Sequence, residues 1–178
     1  MLYFKSIGTF FIAILTFLSY SGDRNSLEKM VDKEITKVFD SKDFQKISFE
    51  VPVELNRELP AKITTENFFK ITNKDVPIGY VYLDKAPSKT ADFDYLVIFN
   101  DKKEIIHTKV LIYREEYGGE IGSKRWLKQF LGLGGDDRVN YKTNIDGIAG
   151  ATISVRSMTM SIDRVLQTIG ILQKKQLI

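Results

Sequence analysis

Four short β-prone segments in the middle of the chain constrain its fold most strongly. They are rich in aromatic and β-branched residues and lie at 67–72, 78–84, 93–99 and 104–113. Turn-forming or polar residues fill the connections at 73–77, 87–91 and 100–103. Connections this short join antiparallel neighbours, because parallel strands need a long crossover. The sequence therefore predicts an antiparallel meander.

Amphipathic helices flank these strands along the chain. Before them, apolar residues recur at steps of three and four from position 25 to about 40. Residues 46–55 carry Pro52 and are interpreted as an edge strand or an extended arm. After the strands, 123–131 predict a short amphipathic helix capped by Ser123, with Trp126, Leu127, Phe130 and Leu131 on one side. A long terminal helix has an apolar stripe of Val155, Met158, Ile162, Val165, Ile169 and Leu172. The predicted fold class is α+β, an antiparallel β-sheet with flanking helices.

The length of the chain fits one domain preceded by a targeting segment. Of its 178 residues, 1–21 hold Lys5, an almost wholly apolar run at 7–18 and small residues at the end, the pattern of a secretory signal peptide. Residues 22–178 are then a single domain. The apolar run is shorter than the roughly 20 residues that span a bilayer core, which favours cleavage, with an uncleaved anchor as the alternative. We expect export to the periplasm or the outer face of a bacterial membrane.

The residue types missing from the chain narrow its chemistry. It contains no cysteine and a single histidine, His107. Disulfides, cysteine-ligated clusters and a multi-histidine zinc site are therefore excluded. His107 lies in the last predicted strand, on the same face as Ile105, and is interpreted as structural or solvent-facing rather than catalytic. Any redox or group-transfer chemistry then requires an organic cofactor.

Charge indicates no nucleic-acid partner. The chain has 26 Lys+Arg against 23 Asp+Glu, a net charge of +3. The basic residues Lys124, Arg125 and Lys128 are interpreted as a solvated helix face, because no basic or aromatic pattern extends them.

A glycine-rich stretch at 144–154 directly precedes the terminal helix. Gly147 and Gly150 permit tight turns with positive φ, and Ser154 is predicted to be the helix N-cap. Free N–H groups and the positive end of the helix dipole gather at such a place, which would suit a phosphate beside Thr152. The simpler alternative is a capping loop without a ligand, which the physics alone favours. Glycine clusters at 118–122 and 132–135 lack the residue order of nucleotide motifs.

The run Asp146-Gly-Ile-Ala-Gly-Ala-Thr152 closely resembles the flavinylation motif Asp-x-x-(Ser/Thr)-Gly-Ala-Thr of the FMN-binding domain family. That family includes the C subunit of the sodium-pumping NADH:quinone oxidoreductase and the G subunit of the Rnf electron-transfer complex. The resemblance implies that a magnesium-dependent flavin transferase, using FAD, esterifies Thr152 with the phosphate of FMN. The residues that it assigns to the cofactor site from this stretch are Asp146, Gly150, Ala151, Thr152 and Ser154.

The run 113–122 is similar to a second family segment, in which a glutamate and glycines line the flavin site before a short helix. This similarity assigns cofactor contacts to Glu116, Gly119 and Gly122, and the whole resemblance spans about residues 65–172. Two departures stand out: Ala149 replaces the Ser/Thr of the motif, and Glu-Tyr-Gly-Gly-Glu-Ile-Gly replaces the Glu-Thr-Pro-Gly-Leu-Gly of the respiratory subunits. The similarity therefore implies a free-standing relative.

The function that follows from this resemblance is electron transfer by FMN held covalently on Thr152. The implied partners are the flavin transferase and redox partners in the membrane or periplasm. An electron carrier is favoured over an enzyme with its own substrate, and no side chain is assigned a catalytic role. Trp126, Tyr113 or Tyr117 would stack on the flavin or pack in the core. The alternative is a non-redox binding module in which Ala149 marks a decayed flavin site.

Overall fold

The computed structural model of the protein describes residues 25–178. The predicted signal peptide at 1–21 lies outside these residues. Within 25–178, no helix combines the length and the apolar character needed to cross a bilayer.

The centre of the fold is a five-stranded antiparallel sheet whose strands follow one another in chain order. The strands are β1 (Phe44–Ser48), β2 (Phe68–Asn73), β3 (Val76–Pro87), β4 (Asp92–Asn100) and β5 (Ile105–Ile112). The predicted meander is confirmed for its four strands, and β1 adds an edge strand before them. The turn between β2 and β3 is tighter than predicted. It consists of Lys74 and Asp75, both with positive φ, which suits a two-residue hairpin between twisted strands.

Helices cover both faces of the sheet. Helix α1 (25–39) packs on one face through Val31 and Ile35, beside Val81, Leu96 and Ile98 of the strands. Helix α4 (Thr152–Lys174) covers the other face, and all six residues of its predicted stripe are buried. The larger core lies on the α4 side. This agrees with the predicted α+β class, and it places the first turn of α4 beside the ends of β3 and β5.

The prediction for 46–55 is correct only in its first part. Strand β1 is an edge strand, but residues 53–58 form a short helix, α2 (Val53–Glu58), directly after Pro52. Proline has a fixed φ that suits a helix start, and it needs no partner for an N–H there. Pro52 therefore marks a helix start rather than a strand position.

The short helix near the glycine segment begins where the sequence predicts. Helix α3 (Lys124–Leu127) starts after Ser123, whose Oγ accepts a hydrogen bond from the Trp126 amide at 3.3 Å, and a 3₁₀ turn (Lys128–Phe130) follows it. Trp126, Leu127 and Phe130 are buried, whereas Leu131 is 46% exposed. The prediction that Leu131 shares the buried side is wrong, because the tighter 3₁₀ turn ends at Phe130 and the chain extends there.

The prediction that His107 shares a face with Ile105 is wrong. Ile105 pairs with Phe99 while His107 pairs with Ile98, so β5 holds one extra residue between them. Such a bulge reverses the alternation of faces. The ring of His107 therefore faces α1, where its Nε2 lies 2.9 Å from a carboxylate oxygen of Glu34.

Acidification is expected to destabilise the fold partly through His107. Burial lowers its pKa below the ordinary value of 6.5; Glu34 opposes this shift, and the charges of Lys37 and Lys109 reinforce it. As the pH falls through 6.5, the unfolded chain gains a proton that the folded chain does not bind, so the free energy of unfolding falls. Since the chain has one histidine, NMR should show a single imidazole titrating below pH 6.5. His107→Gln should lose less stability between pH 7 and 5; an equal loss would contradict this account.

Candidate functional site

The motif ends at the first residue of α4. Gly150 has a φ of 80°, Ala151 is the N-cap, and the Val155 amide donates to the Ala151 carbonyl at 2.9 Å. The prediction that Ser154 is the N-cap is therefore wrong, because the left-handed turn at Gly150 starts the helix earlier. Thr152 is exposed at the first helical position.

The start of α4 is suited to an anionic group. No side chain of the N-cap residue bonds to the first turn, so its leading N–H groups point away from the helix without an intrahelical partner. The helix is 23 residues long, and its dipole places partial positive charge at the same end. The hydroxyl of Thr152 lies at this end of the helix.

Ser154 fixes the start of α4 to two strands. Its buried Oγ lies 2.6 Å from Ser88 Oγ, just beyond β3, and 3.0 Å from the Tyr113 hydroxyl, just beyond β5. One turn later, Ser157 Oγ donates to the Pro87 carbonyl. These contacts hold the helix end, and with it Thr152, in a fixed position on the sheet.

Gly118 joins the glycine segment to the motif. It is buried with a φ of 86°, and a Cβ there would lie 3.0 Å from Ala151 Cβ and 2.8 Å from the Tyr113 hydroxyl. The same hydroxyl donates to the Tyr117 carbonyl at 2.9 Å. The glycine segment therefore contacts the motif through Gly118, which was not among the predicted site residues.

The other predicted residues of the segment lie around this contact. Gly119 is exposed beside the Tyr113 ring, and Gly122 packs against Val110 at the start of α3. Glu116 is exposed, two residues before Gly118. The preceding residue, Glu115, carries the structural role: its carboxylate accepts hydrogen bonds from the amides of Thr90 and Ala91 at 2.6 and 3.1 Å. The hydrogen bond from the Thr90 amide is the main reason that the pKa of Glu115 is lowered.

Helix α3 and the 3₁₀ turn after it form hydrogen bonds to the other end of the motif. The Trp126 indole N–H donates to the Asp146 carbonyl at 2.8 Å, and the Asp146 amide donates to Gln129 Oε1 at 2.8 Å. The Asp146 residue itself is exposed. Trp126 is buried edge-on against Phe130, so it packs in the core rather than on a flavin. Of the three aromatic candidates, Tyr117 is the most exposed, at 76%.

Removing the Ser154 hydroxyl should loosen the start of α4. Ser154→Ala takes a partner from Ser88 and Tyr113, which predicts a loss of about 1 kcal/mol in the free energy of unfolding. Urea denaturation of Ser154→Ala, Tyr113→Phe and the double variant measures this directly. Because the two residues share one hydrogen bond, the double variant should lose less than the sum of the single losses. Strict additivity would show that the bond contributes nothing.

The residues around Thr152 fit a phosphate with a large attached ring. Three cavities within residues 25–178 have no motif residue in their lining. Thr152 is exposed, so a group joined to it would lie on the surface. Nothing lies within 4 Å of the positions that a Cβ would take on Gly147 and Gly150, which leaves the backbone open to a flat partner. Among the described residues, no cluster of three or more carboxylate or imidazole side chains is placed to hold a metal ion.

Residues 90–167 match the model of a protein family described as the FMN-binding domain. The match covers β4, β5, the glycine segment, α3, the motif and most of α4. No curated protein matches the chain. The resemblance inferred from the sequence is confirmed at the level of the family.

Proposed function

We propose that this chain, whose residues 90–167 match the model of the FMN-binding domain family, is an exported electron carrier with FMN esterified to Thr152. The observation that carries the proposal is the exposed Thr152 at the uncapped start of α4, within the run that resembles the flavinylation motif. FMN binding itself follows from the family. The covalent bond, the electron transfer and the export are the proposed part.

Attachment requires a partner enzyme. A threonine hydroxyl is a weak nucleophile without a base, and no hydrogen bond to the Thr152 hydroxyl is found within 25–178. A flavin transferase would supply the activation. In that reaction the Thr152 oxygen would form a bond to the phosphorus on the FMN side of FAD, the bond between the two phosphates would break, and AMP and the hydroxyl proton would be released. The exposed position of Thr152 suits this reaction, because the transferase must reach it.

The chain's own residues would hold and orient the attached group. The first-turn N–H groups of α4 would bond to the phosphate oxygens, and the helix dipole would offset their charge. Tyr117, exposed beside Gly118, would lie against the ring. When bound, FMN supplies the electron chemistry. A covalent bond would also prevent loss of the cofactor from an exported protein. A flavin that dissociated outside the cytoplasm would not be recovered.

Isolation of the full-length protein from the periplasm of a host that makes a flavin transferase tests the proposal. We expect a yellow protein that keeps its colour after acid precipitation, is bleached by dithionite and regains its spectrum in air. A folded, colourless product beside a flavinylated control protein would contradict the proposal, and it would favour the non-redox module. Turnover of a small substrate, instead of exchange with redox partners, would show an enzyme rather than a carrier.

A further inference from the structure

A cavity lies between α1, β5 and α3, and Thr152 does not line it. Its volume is about 350 Å³, which is within the range of small-molecule sites. Four lysines line it, and we call it the lysine pocket: Lys37 from α1, Lys109 from β5, Lys124 from the start of α3, and Lys128 from the 3₁₀ turn that follows α3.

The charge of the lysine pocket is unbalanced. Glu34 is its only acidic lining residue, and that carboxylate is bonded to His107. Within residues 25–178, none of the four lysines forms an ion pair. Lys37, Lys124 and Lys128 are exposed and Lys109 is half-buried, so water weakens their mutual repulsion. An anion placed among them would be attracted by all four charges. Burial is the main cause of the lowered pKa of His107, and the charges of Lys37 and Lys109 lower it further.

The floor of the lysine pocket is apolar. Leu127 is buried beneath it, and Leu131 lies at its rim with 46% of its surface exposed. An inorganic ion would leave the exposed side chain of Leu131 in water, whereas a ligand with a hydrocarbon or aromatic body would cover it. The positive charge of the lysines and the apolar floor together favour a ligand that is both anionic and partly apolar.

We propose that the lysine pocket binds a small organic polyanion, a molecule with two or more negative charges on an apolar body. The ammonium groups of the four lysines would pair with its carboxylates or phosphates, and Leu127 and Leu131 would contact its body. The site is close to the flavin motif. The 3₁₀ turn Gly119–Gly122 leads from Gly118, which packs on Ala151, to Gly122, which lines the pocket. At about 2 Å per residue, this turn spans about 8 Å.

Calorimetric titration of the full-length protein tests this inference. The two probes are benzene-1,2,4-tricarboxylate and phenyl phosphate. Both have an aromatic body, but the first carries carboxylates and the second carries a phosphate. Sodium chloride keeps the ionic strength constant, so that screening alone produces no signal. We expect saturable 1:1 binding of at least one probe, and the better probe identifies the anionic group. Binding of neither probe at millimolar concentration overturns the proposal.

Matched charge variants distinguish binding in the lysine pocket from a general effect of the protein's net charge. Lys124→Gln with Lys128→Gln should raise the Kd at least tenfold. Lys33→Gln with Lys102→Gln removes the same charge from exposed positions outside the pocket, and it should change the Kd less than twofold. An equal increase in Kd for both pairs of substitutions would show that the probe responds only to net charge, and it would overturn the inference. The titration uses protein without flavin, in which phenyl phosphate could also bind at the start of α4. Because the lysine variants leave α4 unchanged, a raised Kd in Lys124→Gln with Lys128→Gln assigns the binding to the lysine pocket and not to the proposed flavin site.

Discussion

Thr152→Ala is expected to abolish covalent flavin completely. The substitution removes the only exposed hydroxyl of residues 144–154. The remaining one, on Ser154, is buried and hydrogen-bonded to Ser88 and Tyr113, so no phosphoester should form at the start of α4. Stability should change little, because Thr152 is exposed and alanine is a better helix former. Co-production with a flavin transferase, followed by in-gel flavin fluorescence after denaturation, measures the loss.

Two variants serve as controls for this result. Thr143→Ala removes an exposed threonine from the same loop and should keep full fluorescence. Thr152→Ser restores a hydroxyl at the same position and should regain at least part of the modification. Fluorescence that persists in Thr152→Ala and disappears in Thr143→Ala would show that the flavin is attached to Thr143, and it would contradict the account.

Gly118→Ala should cause the largest loss of stability among the site variants. A side chain at its φ of 86° is strained, and the new Cβ would press on Tyr113 and Ala151. The left-handed conformation costs roughly 1–2 kcal/mol for a residue with a Cβ, and overpacking typically adds about 1–3 kcal/mol. We expect the free energy of unfolding to fall by about 3 kcal/mol in urea denaturation.

Gly132→Ala isolates the contribution of the backbone. Gly132 has nearly the same φ, 82°, but nothing lies within 4 Å of its added Cβ, so its loss should be only about 1–2 kcal/mol. Because Gly118→Ala also displaces Ala151, it should reduce flavinylation of the folded fraction, whereas Gly132→Ala should not. Equal losses of stability would show that contact between the glycine segment and the motif is unimportant.

The sequence predicts the sheet and the terminal helix because their signals are local. Each hairpin of the meander has short turns, and α4 has an uninterrupted apolar stripe, so periodicity is sufficient for both. The bulge that separates Ile105 from His107 has no such signal, because it depends on how β5 pairs with β4. The start of α4 was misplaced for a related reason: serine is a good N-cap by propensity, but Ser154 is engaged by strands elsewhere in the fold.

The candidate site shows the same limit. The motif resemblance identifies Thr152 without structural information, because the residues of the motif are contiguous. Gly118, Ser88 and Glu115 become part of the site only through folding, since their partners lie 24 or more residues away. A glycine pair at 118–119 indicates a turn in the sequence, but only the contact with Ala151 shows which glycine cannot be replaced.

The most direct test of the central claim is the intact mass of the exported wild-type protein made together with a flavin transferase. The account predicts one added FMN less one water, and peptide mapping should place it on the peptide that contains Thr152. An unmodified mass, under conditions that flavinylate a control protein, would contradict covalent attachment and leave the stretch before α4 as a helix-capping loop.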